Sequence, residues 1–182
     1  EYARLPKADM VLVTHSHYDH LDRAAIDDIT TNKSIILCDK TSAEVFDGEA
    51  VVMTPGLKAQ PWEGLTVEAV AAYNTSEGHT DFHPQAREDC GYILTLGGTT
   101  IYVAGDTEDN EDVVSQQGVD IAFLPVNQPY TMTVEQATNA VKAIKPTLFY
   151  PYHYGQVEEK TDINRLVELV KDITDIRIRP ME

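Results

Sequence analysis

The sequence predicts a layered α/β domain in which helices cover the faces of β-sheets. Short apolar runs rich in β-branched residues alternate with segments whose apolar residues repeat at helical spacing. Along the chain come separate strands, then a hairpin, then the order strand–helix–strand–helix. The 182 residues are enough for one hydrophobic core and few for two. We therefore expect a single domain over 1–182.

The first third of the chain predicts buried strands and short helical segments. The apolar run 10–14 predicts a strand, and 21–31 predicts a short helix that Asp22 begins or caps. Further strands are expected at 34–39 and 50–54, separated by one helical turn that Gly48 closes. Runs of this kind are typical of strands with both faces covered.

The middle of the chain predicts a strand, a long loop and a hairpin. Alternation at period two over 65–73 indicates a half-buried strand. The segment 74–89 is polar and without apolar periodicity, which predicts a long loop of the kind that often carries function. Over 90–106 two strands meet at Gly97 and Gly98, a hairpin signal.

The last third alternates helix and strand. Thr133 is the expected N-cap of the best-marked helix, which ends before Pro146. The predicted elements are a helix at 110–118 ending at Gly118, a strand at 119–126, a helix at 133–146, a strand at 147–155, a helix at 161–174 and a strand at 175–180.

Charge and composition exclude several classes of partner. The 30 acidic and 14 basic residues give a net charge of −16, which disfavours nucleic acid and acidic lipid surfaces. No apolar run approaches a membrane span, and no signal peptide is visible, so we expect a cytoplasmic protein. The sequence does not begin with Met, and a leader lost by processing is compatible with it. Two cysteines do not suggest a disulfide scaffold.

All six histidines follow predicted strands, at their ends or in the next loop. Ligands collect at the carboxyl ends of strands in layered α/β folds. Core histidines chosen for packing would not be expected to gather in this way. The set comprises His15, His17 and His20 after the first strand, His79 and His83 in the long loop, and His153 after "TLFYP" near the end of the segment 147–155, with Asp106 at the end of the hairpin.

Spacing within "HSHYDH" suits metal ligation. His15 and His17 are two apart and point the same way in extended chain, and His20 can return beside them from a turn. Asp19 offers a carboxylate to a second ion. Imidazole and carboxylate together suit zinc, and also manganese or iron, while the lack of thiolate ligands argues against a purely structural zinc site.

Three short motifs carry a resemblance to a known family. "HSHYDH", "YVAGDT" and "YPYHYG" resemble the signature motifs of the metallo-β-lactamase superfamily. "LPVNQPYTMTVEQA" and "HPQAREDCGYILTLGGTTIYVAGDTE" resemble its branch of metal-dependent hydrolases similar to ascorbate-6-phosphate lactonases. The resemblance runs from about Ala8 to Gly155 and implies a four-layer αββα sandwich.

The resemblance implies a ligand set for two divalent ions, zinc first and manganese or iron next. His83 is preferred over His79 in the middle motif, because "HP" before the Gly-Tyr strand resembles this branch more closely. Asp19 and Asp106 are the expected catalytic residues, and His79, Asn74 and Tyr130 are candidates for contacting substrate. The implied ligands are His15, His17 and His83 for the first metal, Asp19, His20 and His153 for the second, and Asp106 as the bridge.

Each candidate residue also has an interpretation that involves no functional site. A loop histidine is usually only solvated, "AGDT" alone would be a common turn, and a Pro-containing loop would explain Tyr130 as well as a pocket would. His153 between two tyrosines could be a satisfied, half-buried histidine. Arg87 is a weak candidate for holding an anionic group of a substrate.

One feature departs from the family pattern. Members usually carry several strands before the His-x-His motif, and this chain has about ten residues there. Either the numbered sequence lacks an N-terminal segment that carries these strands, or the first sheet is incomplete. We expect the former, because a missing half-sheet would expose a long edge and a core face.

The implied function is hydrolysis of an ester, lactone or phosphoester bond in a small molecule by metal-activated water. A small carboxylic ester or lactone is the first expectation, and the chain is expected to act alone or as a homo-oligomer. The alternatives are a metal-binding sensing module without turnover, or a phosphodiesterase or nuclease, which the acidic surface disfavours. Oxygen reduction at a di-iron site would need a flavin partner domain that this chain lacks.

Overall fold

Two β-sheets pack face to face between layers of helix in the computed structural model, which describes residues 2–155 and 160–180. The smaller sheet is parallel, in the order β1-β2-β3. Its strands are β1 (Met10–Val13), β2 (Ile35–Cys38) and β3 (Val51–Val52).

The larger sheet has the order β10-β9-β8-β7-β6-β5-β4. Strands β4 to β7 pair antiparallel, and β7 to β10 pair parallel. The strands are β4 (Lys58–Trp62), β5 (Leu65–Ala71), β6 (Cys90–Leu96), β7 (Thr99–Val103), β8 (Ile121–Pro125), β9 (Leu148–Tyr152) and β10 (Asp175–Ile176).

The helices begin at side chains that cap free backbone amides. Asp22 accepts hydrogen bonds from the amides of Ala24 and Ala25, and Thr133 and Gln136 form a reciprocal capping box. The α-helices are α1 (Arg23–Ile29), α2 (Glu111–Val114), α3 (Val134–Ile144) and α4 (Ile163–Val170), and short 3-10 helices span Tyr2–Arg4, Ser42–Phe46 and Gln85–Arg87. Within residues 2–155 and 160–180, no helix combines the length and apolar character needed to cross a bilayer.

Alternation along the strands produces four layers. In β1, Val13 packs with Ile26 of α1, whereas Leu12 faces the other way and packs against the buried face of the larger sheet. On the far face of the larger sheet, Leu124 belongs to a cluster that includes Val141 of α3 and Leu166 of α4. The layer order is therefore helix, sheet, sheet, helix, and the predicted αββα arrangement is confirmed.

Two hydrogen bonds link the sheets next to the histidine motif. Tyr92 on β6 is fully buried, and its hydroxyl donates to the carbonyl of Val13 at 2.7 Å. The Cys90 amide donates to the carbonyl of Thr14 at 3.0 Å. Buried polar groups need such partners, so these bonds fix where β1 ends relative to the larger sheet. His15 follows directly.

The prediction was incomplete in the details of several elements. Strand β4 was not predicted, since Pro61 removes a ladder donor; the strand is tolerated because it forms an edge of its sheet. Helix α2 is shorter than the predicted 110–118, and β10 covers only the start of 175–180. The smaller sheet has three strands in the described part of the chain, with β1 at one edge. The expectation about earlier strands stays a prediction.

Gly91 tests how closely β6 approaches the backbone at the end of β7. A Cβ added there would lie 2.5 Å from the carbonyl oxygen of Ala104 and 2.9 Å from that of Val103, both backbone atoms that cannot rotate away. We expect Gly91→Ala to lower the free energy of unfolding by about 3 kcal/mol, at the upper end of the usual cost of overpacking.

The control is Gly64→Ala, measured in the same urea titration. Gly64 has φ +86 and open space around its Cβ position. Its substitution therefore costs only the strain of placing alanine in the left-handed conformation, about 1–2 kcal/mol in unfolding free energy. A Gly91→Ala cost no larger than that of Gly64→Ala would show that the contact is not rigid.

Candidate metal centre

The chemistry-bearing residues meet at one edge, where strands of both sheets end. His15 to His20 follow β1, Asp106 follows β7 and His153 follows β9. His83 comes from the loop between β5 and β6, whose ends are tied by the bond from the Asn74 amide to the His83 carbonyl at 2.9 Å. The convergence is that expected for strand carboxyl ends.

Asp106 lies at the centre of this cluster. The carboxylate is 3% exposed, and its Oδ2 atom faces four imidazole Nε2 atoms. The distances are 3.2 Å to His20, 3.2 Å to His153, 3.5 Å to His83 and 3.8 Å to His15. One oxygen thus touches both halves of the histidine set.

The potential ligand atoms fall into three overlapping groups among the described residues. Atoms within each group lie within 4.8 Å of one another. The groups are His15–His17–His83, Asp19–His20–His153 and His15–His20–Asp106. The first two match the sets that the sequence predicts for two ions, with Asp106 between them. His79 belongs to none of the three.

Burial of His15 and hydrogen bonds to Asp106 set the protonation states of these two side chains in the direction that ligation requires. Desolvation lowers the pKa of His15 to about 3, so this imidazole is neutral at neutral pH. Burial alone would raise the pKa of Asp106, but hydrogen bonds from His153 and His20 outweigh it and hold that pKa well below its ordinary value. A neutral imidazole beside an ionised carboxylate is the state in which both bind a cation.

His153 is held in a constrained orientation. Its φ is 63°, a region that non-glycine residues seldom adopt and that is concentrated at functional sites. Its Nδ1 atom lies 2.8 Å from the side-chain amide of buried Asn127, which leaves Nε2 directed at Asp106 and Asp19. Such outer partners commonly fix the orientation of metal-binding histidines.

Arg87 and Asp89 flank the other side of the cluster. Buried Asp89 accepts from Arg87 Nε at 2.7 Å and lies 3.4 Å from His83 Nδ1, so it orients His83. Arg87 Nη1 lies 2.9 Å from His17 Nε2. An ion held by His17 through that nitrogen would require the guanidinium to turn away.

His79 and Asn74 lie behind the pocket wall. His79 Nδ1 is 3.4 Å from Glu108 Oε1, and the Asn74 side-chain amide donates to the carbonyls of His79 and Tyr130 at 3.2 and 2.8 Å. These contacts brace the loop, and neither side chain lines the pocket described below. Their proposed contact with substrate stays a prediction.

Glu108 is a buried carboxylate that the sequence did not single out, because no motif marks it. It is fully buried and accepts from the amides of Thr75 and Ser76, both at 2.7 Å. These bonds tie the start of the long loop to the segment that carries Asp106. The only hint in the sequence is its place two residues after Asp106.

A pocket of about 1030 Å³ opens onto the cluster. Asp106, Asp19 and His153 line it, and so does Tyr130, whose contact with substrate stays a prediction. The rest of its wall is largely aromatic, contributed by Tyr18, Phe82, Tyr152 and Tyr154. The site therefore offers room for a small molecule in contact with the ligand cluster.

Comparison with known proteins places these features in context. Residues 1–154 match the profile of the beta-lactamase superfamily domain. A crystal structure from Parabacteroides distasonis, named as a metal-dependent hydrolase, superposes with a TM-score of 0.92 at 42% identity, over 100% of this chain and 80% of that one.

Curated relatives carry names of the same class. UPF0173 metal-dependent hydrolases of Thermoplasma acidophilum and Pyrococcus furiosus are 34% and 37% identical, over 82% and 81% of this chain. The matched regions cover 66% and 67% of those proteins, so the chain spans about two thirds of their length.

Glu108→Gln tests whether this carboxylate holds the loop. Gln keeps the size but loses the charge that strengthens both hydrogen bonds, so we expect a loss of about 1.5–3 kcal/mol in unfolding free energy at pH 7. Burial raises the pKa of Glu108, yet the Thr75 and Ser76 amides lower it further, to below its ordinary 4.5. The contribution is therefore complete above pH 4.5 and is lost as the pH falls through the folded-state pKa.

The matched control is Glu77→Gln, an exposed carboxylate of the same loop, for which we expect less than about 0.5 kcal/mol. Denaturant titrations from pH 7 down to pH 3 measure both. A Glu108→Gln effect equal to that of Glu77→Gln, or one that grows on acidification, would contradict this role.

Proposed function

The chain belongs to the beta-lactamase superfamily, and we propose that it is a metal-dependent hydrolase. It would hold two divalent cations in the Asp106 cluster, the histidine and aspartate side chains that surround Asp106. The observation that carries the proposal is the arrangement of imidazole and carboxylate donors around one buried oxygen. The names of the relatives support the same class. The relatives' names give no substrate for this chain.

Unpaired buried atoms in the cluster fit a cation. Among the residues that the structure describes, His15 Nε2 and Asp106 Oδ1 are buried without a hydrogen-bond partner, and His20 Nε2 lies 3.2 Å from Asp106 Oδ2 without hydrogen-bond geometry. Buried polar atoms without partners cost free energy, and a bound ion is one arrangement that satisfies them. The nitrogen and oxygen donor set suits zinc first, with manganese or iron as alternatives.

The groups suggest which residues hold each ion. His15, His17 and His83 would hold the first, and Asp19, His20 and His153 the second. Asp106 would serve both. Divalent cations held in this way lower the pKa of water towards 7 and stabilise negative charge on a carbonyl or phosphoryl oxygen.

The side chains around the ions supply orientation and proton transfer. Asp19 is 42% exposed and lines the pocket, so it is the carboxylate best placed to exchange a proton with a molecule bound there. Asp106 is buried and stays ionised, and Asn127 holds His153 from behind. We place carboxylic esters and lactones of small molecules first among the bonds cleaved, with phosphoesters next.

The net charge of −16 bears on the alternative of a nuclease. A polyphosphate chain would approach a surface with few compensating cations. A sensing module without turnover would bind the same ions and hydrolyse nothing. The experiment below separates that outcome from the proposed one.

The test joins metal content to turnover. Protein purified after growth with zinc should hold about two ions per chain by elemental analysis, and hydrolyse 4-nitrophenyl acetate or dihydrocoumarin faster than bis(4-nitrophenyl) phosphate. His17→Ala should hold fewer ions and lose on the order of 100-fold or more in kcat/KM, because a bound cation contributes several kcal/mol and each 1.36 kcal/mol is tenfold.

Two further variants locate the first ion. His83→Ala should lower the metal content, whereas His79→Ala should retain two ions, because only His83 lies in a ligand group. A protein that holds two ions but turns over none of the three substrates would be a binding module. Metal loss in His79→Ala but not in His83→Ala would overturn the ligand assignment.

A further inference from the structure

Away from the metal cluster the pocket wall carries five aromatic rings, and its other lining residues are Ser16, Asn127 and Pro180. Phe82 and Tyr130 pack edge to face with ring centroids 4.9 Å apart, so they form one firm side. The hydroxyls of Tyr152 and Tyr154 donate to the backbone carbonyls of Gly105 and Arg179, so those hydroxyls are already partnered. What remains for a ligand on this side is chiefly ring surface.

Tyr18 adds an aromatic ring at the mouth of the pocket. It is 92% exposed and stands between His17 and Asp19 in the sequence. Tyr130 is 38% exposed on another part of the wall. Exposed rings beside a concave site contribute binding free energy when they cover a flat apolar group of a ligand, because they can contact its edges and faces.

Cationic side chains do not line this pocket among the residues that the structure describes. Arg87, the nearest to the cluster, is held through Nε and Nη2 by buried Asp89, whether or not its Nη1 contact with His17 persists. The guanidinium of Arg179 lies over the ring of Tyr150 at 5.7 Å from its centroid. Sites for phosphate or a second carboxylate usually place arginine or lysine against it.

Acidic groups make a remote anion still less favourable. Asp19 and Asp106 both line the pocket, and the charge of the bound ions would be directed at the reacting group rather than at the far wall. An anionic group of a substrate, remote from the cleaved bond, would lie against tyrosine and phenylalanine rings and gain little binding free energy.

From this wall we infer that the substrate carries an uncharged aromatic group on the side remote from the bond that is cleaved. The inference rests on the proposed hydrolase function and narrows it to aryl-substituted esters or lactones. Phosphorylated or dicarboxylic substrates are correspondingly poor. The reaction is ordinary hydrolysis: water adds to the acyl carbon, the C–O bond breaks and the alcohol leaves with a proton.

The test compares two esters with one leaving group. 4-Nitrophenyl phenylacetate carries a ring on its acyl chain, and mono-4-nitrophenyl succinate carries a carboxylate there. With rates divided by those of alkaline hydrolysis, zinc-loaded protein should prefer the phenylacetate by about tenfold or more in kcat/KM. Tyr130→Ala should raise KM for the phenylacetate about fivefold with kcat nearly unchanged, and leave the succinate unaffected.

Trp62→Ala is the control, since this ring is also 40% exposed but lies on β4, outside the pocket lining. It should alter neither ester. A preference for the succinate, or an equal effect of Tyr130→Ala on both esters, would overturn the inference while leaving hydrolysis established.

Binding of the two free acids separates this inference from the proposed function. If neither ester is hydrolysed, calorimetric titration of zinc-loaded protein with phenylacetate and with succinate decides the matter. Tighter binding of phenylacetate, weakened by Tyr130→Ala, would support an aromatic ligand although hydrolysis had failed. Equal binding, or tighter binding of succinate, would overturn it.

Discussion

The buried carboxylate of Asp106 is the constraint on which the site depends. An ionised carboxylate at 3% exposure is costly unless positive charge or hydrogen-bond donors surround it, and here four imidazole nitrogens face one of its oxygens. These nitrogens come from three separate parts of the chain. The two sheets bring those parts together, because Tyr92 and Cys90 bind the backbone where β1 ends. A shift of β1 relative to the larger sheet would therefore separate His15 and His20 from Asp106.

Polar side chains behind the ligand cluster fix the orientation of its histidines and of the loop beside them. Asn127 holds His153, Asp89 holds His83, and Glu108 holds the loop that carries Phe82 and His83. Each of these partners is buried, and each contacts backbone or a histidine. The candidate ligand atoms therefore face one centre, and the polar side chains that orient His83 and His153 lie on the opposite side of each ring.

Much of this could be predicted from sequence, for reasons that differ between elements. Strand ends followed by histidine or aspartate report a functional edge, so the ligand cluster and the superfamily resemblance were both accessible, and the family match confirms the latter. Helix caps such as Asp22 and Thr133 could also be predicted, because they bond to backbone amides only two or three residues further along the chain. Strand β4 was missed because its pairing with β5 outweighs Pro61 at an edge. The roles of Glu108 and of Arg87 beside His17 depend on contacts between distant segments, which spacing along the chain does not encode.

The central claim is that Asp106 joins two cation sites, and anomalous X-ray diffraction from crystals grown with zinc tests it most directly. Data collected on both sides of the zinc absorption edge should give two peaks within about 2.0–2.2 Å of the Asp106 carboxylate oxygens. One peak should also contact His15, His17 and His83, and the other Asp19, His20 and His153. A single peak, or zinc bound elsewhere with the Asp106 cluster empty, would contradict it.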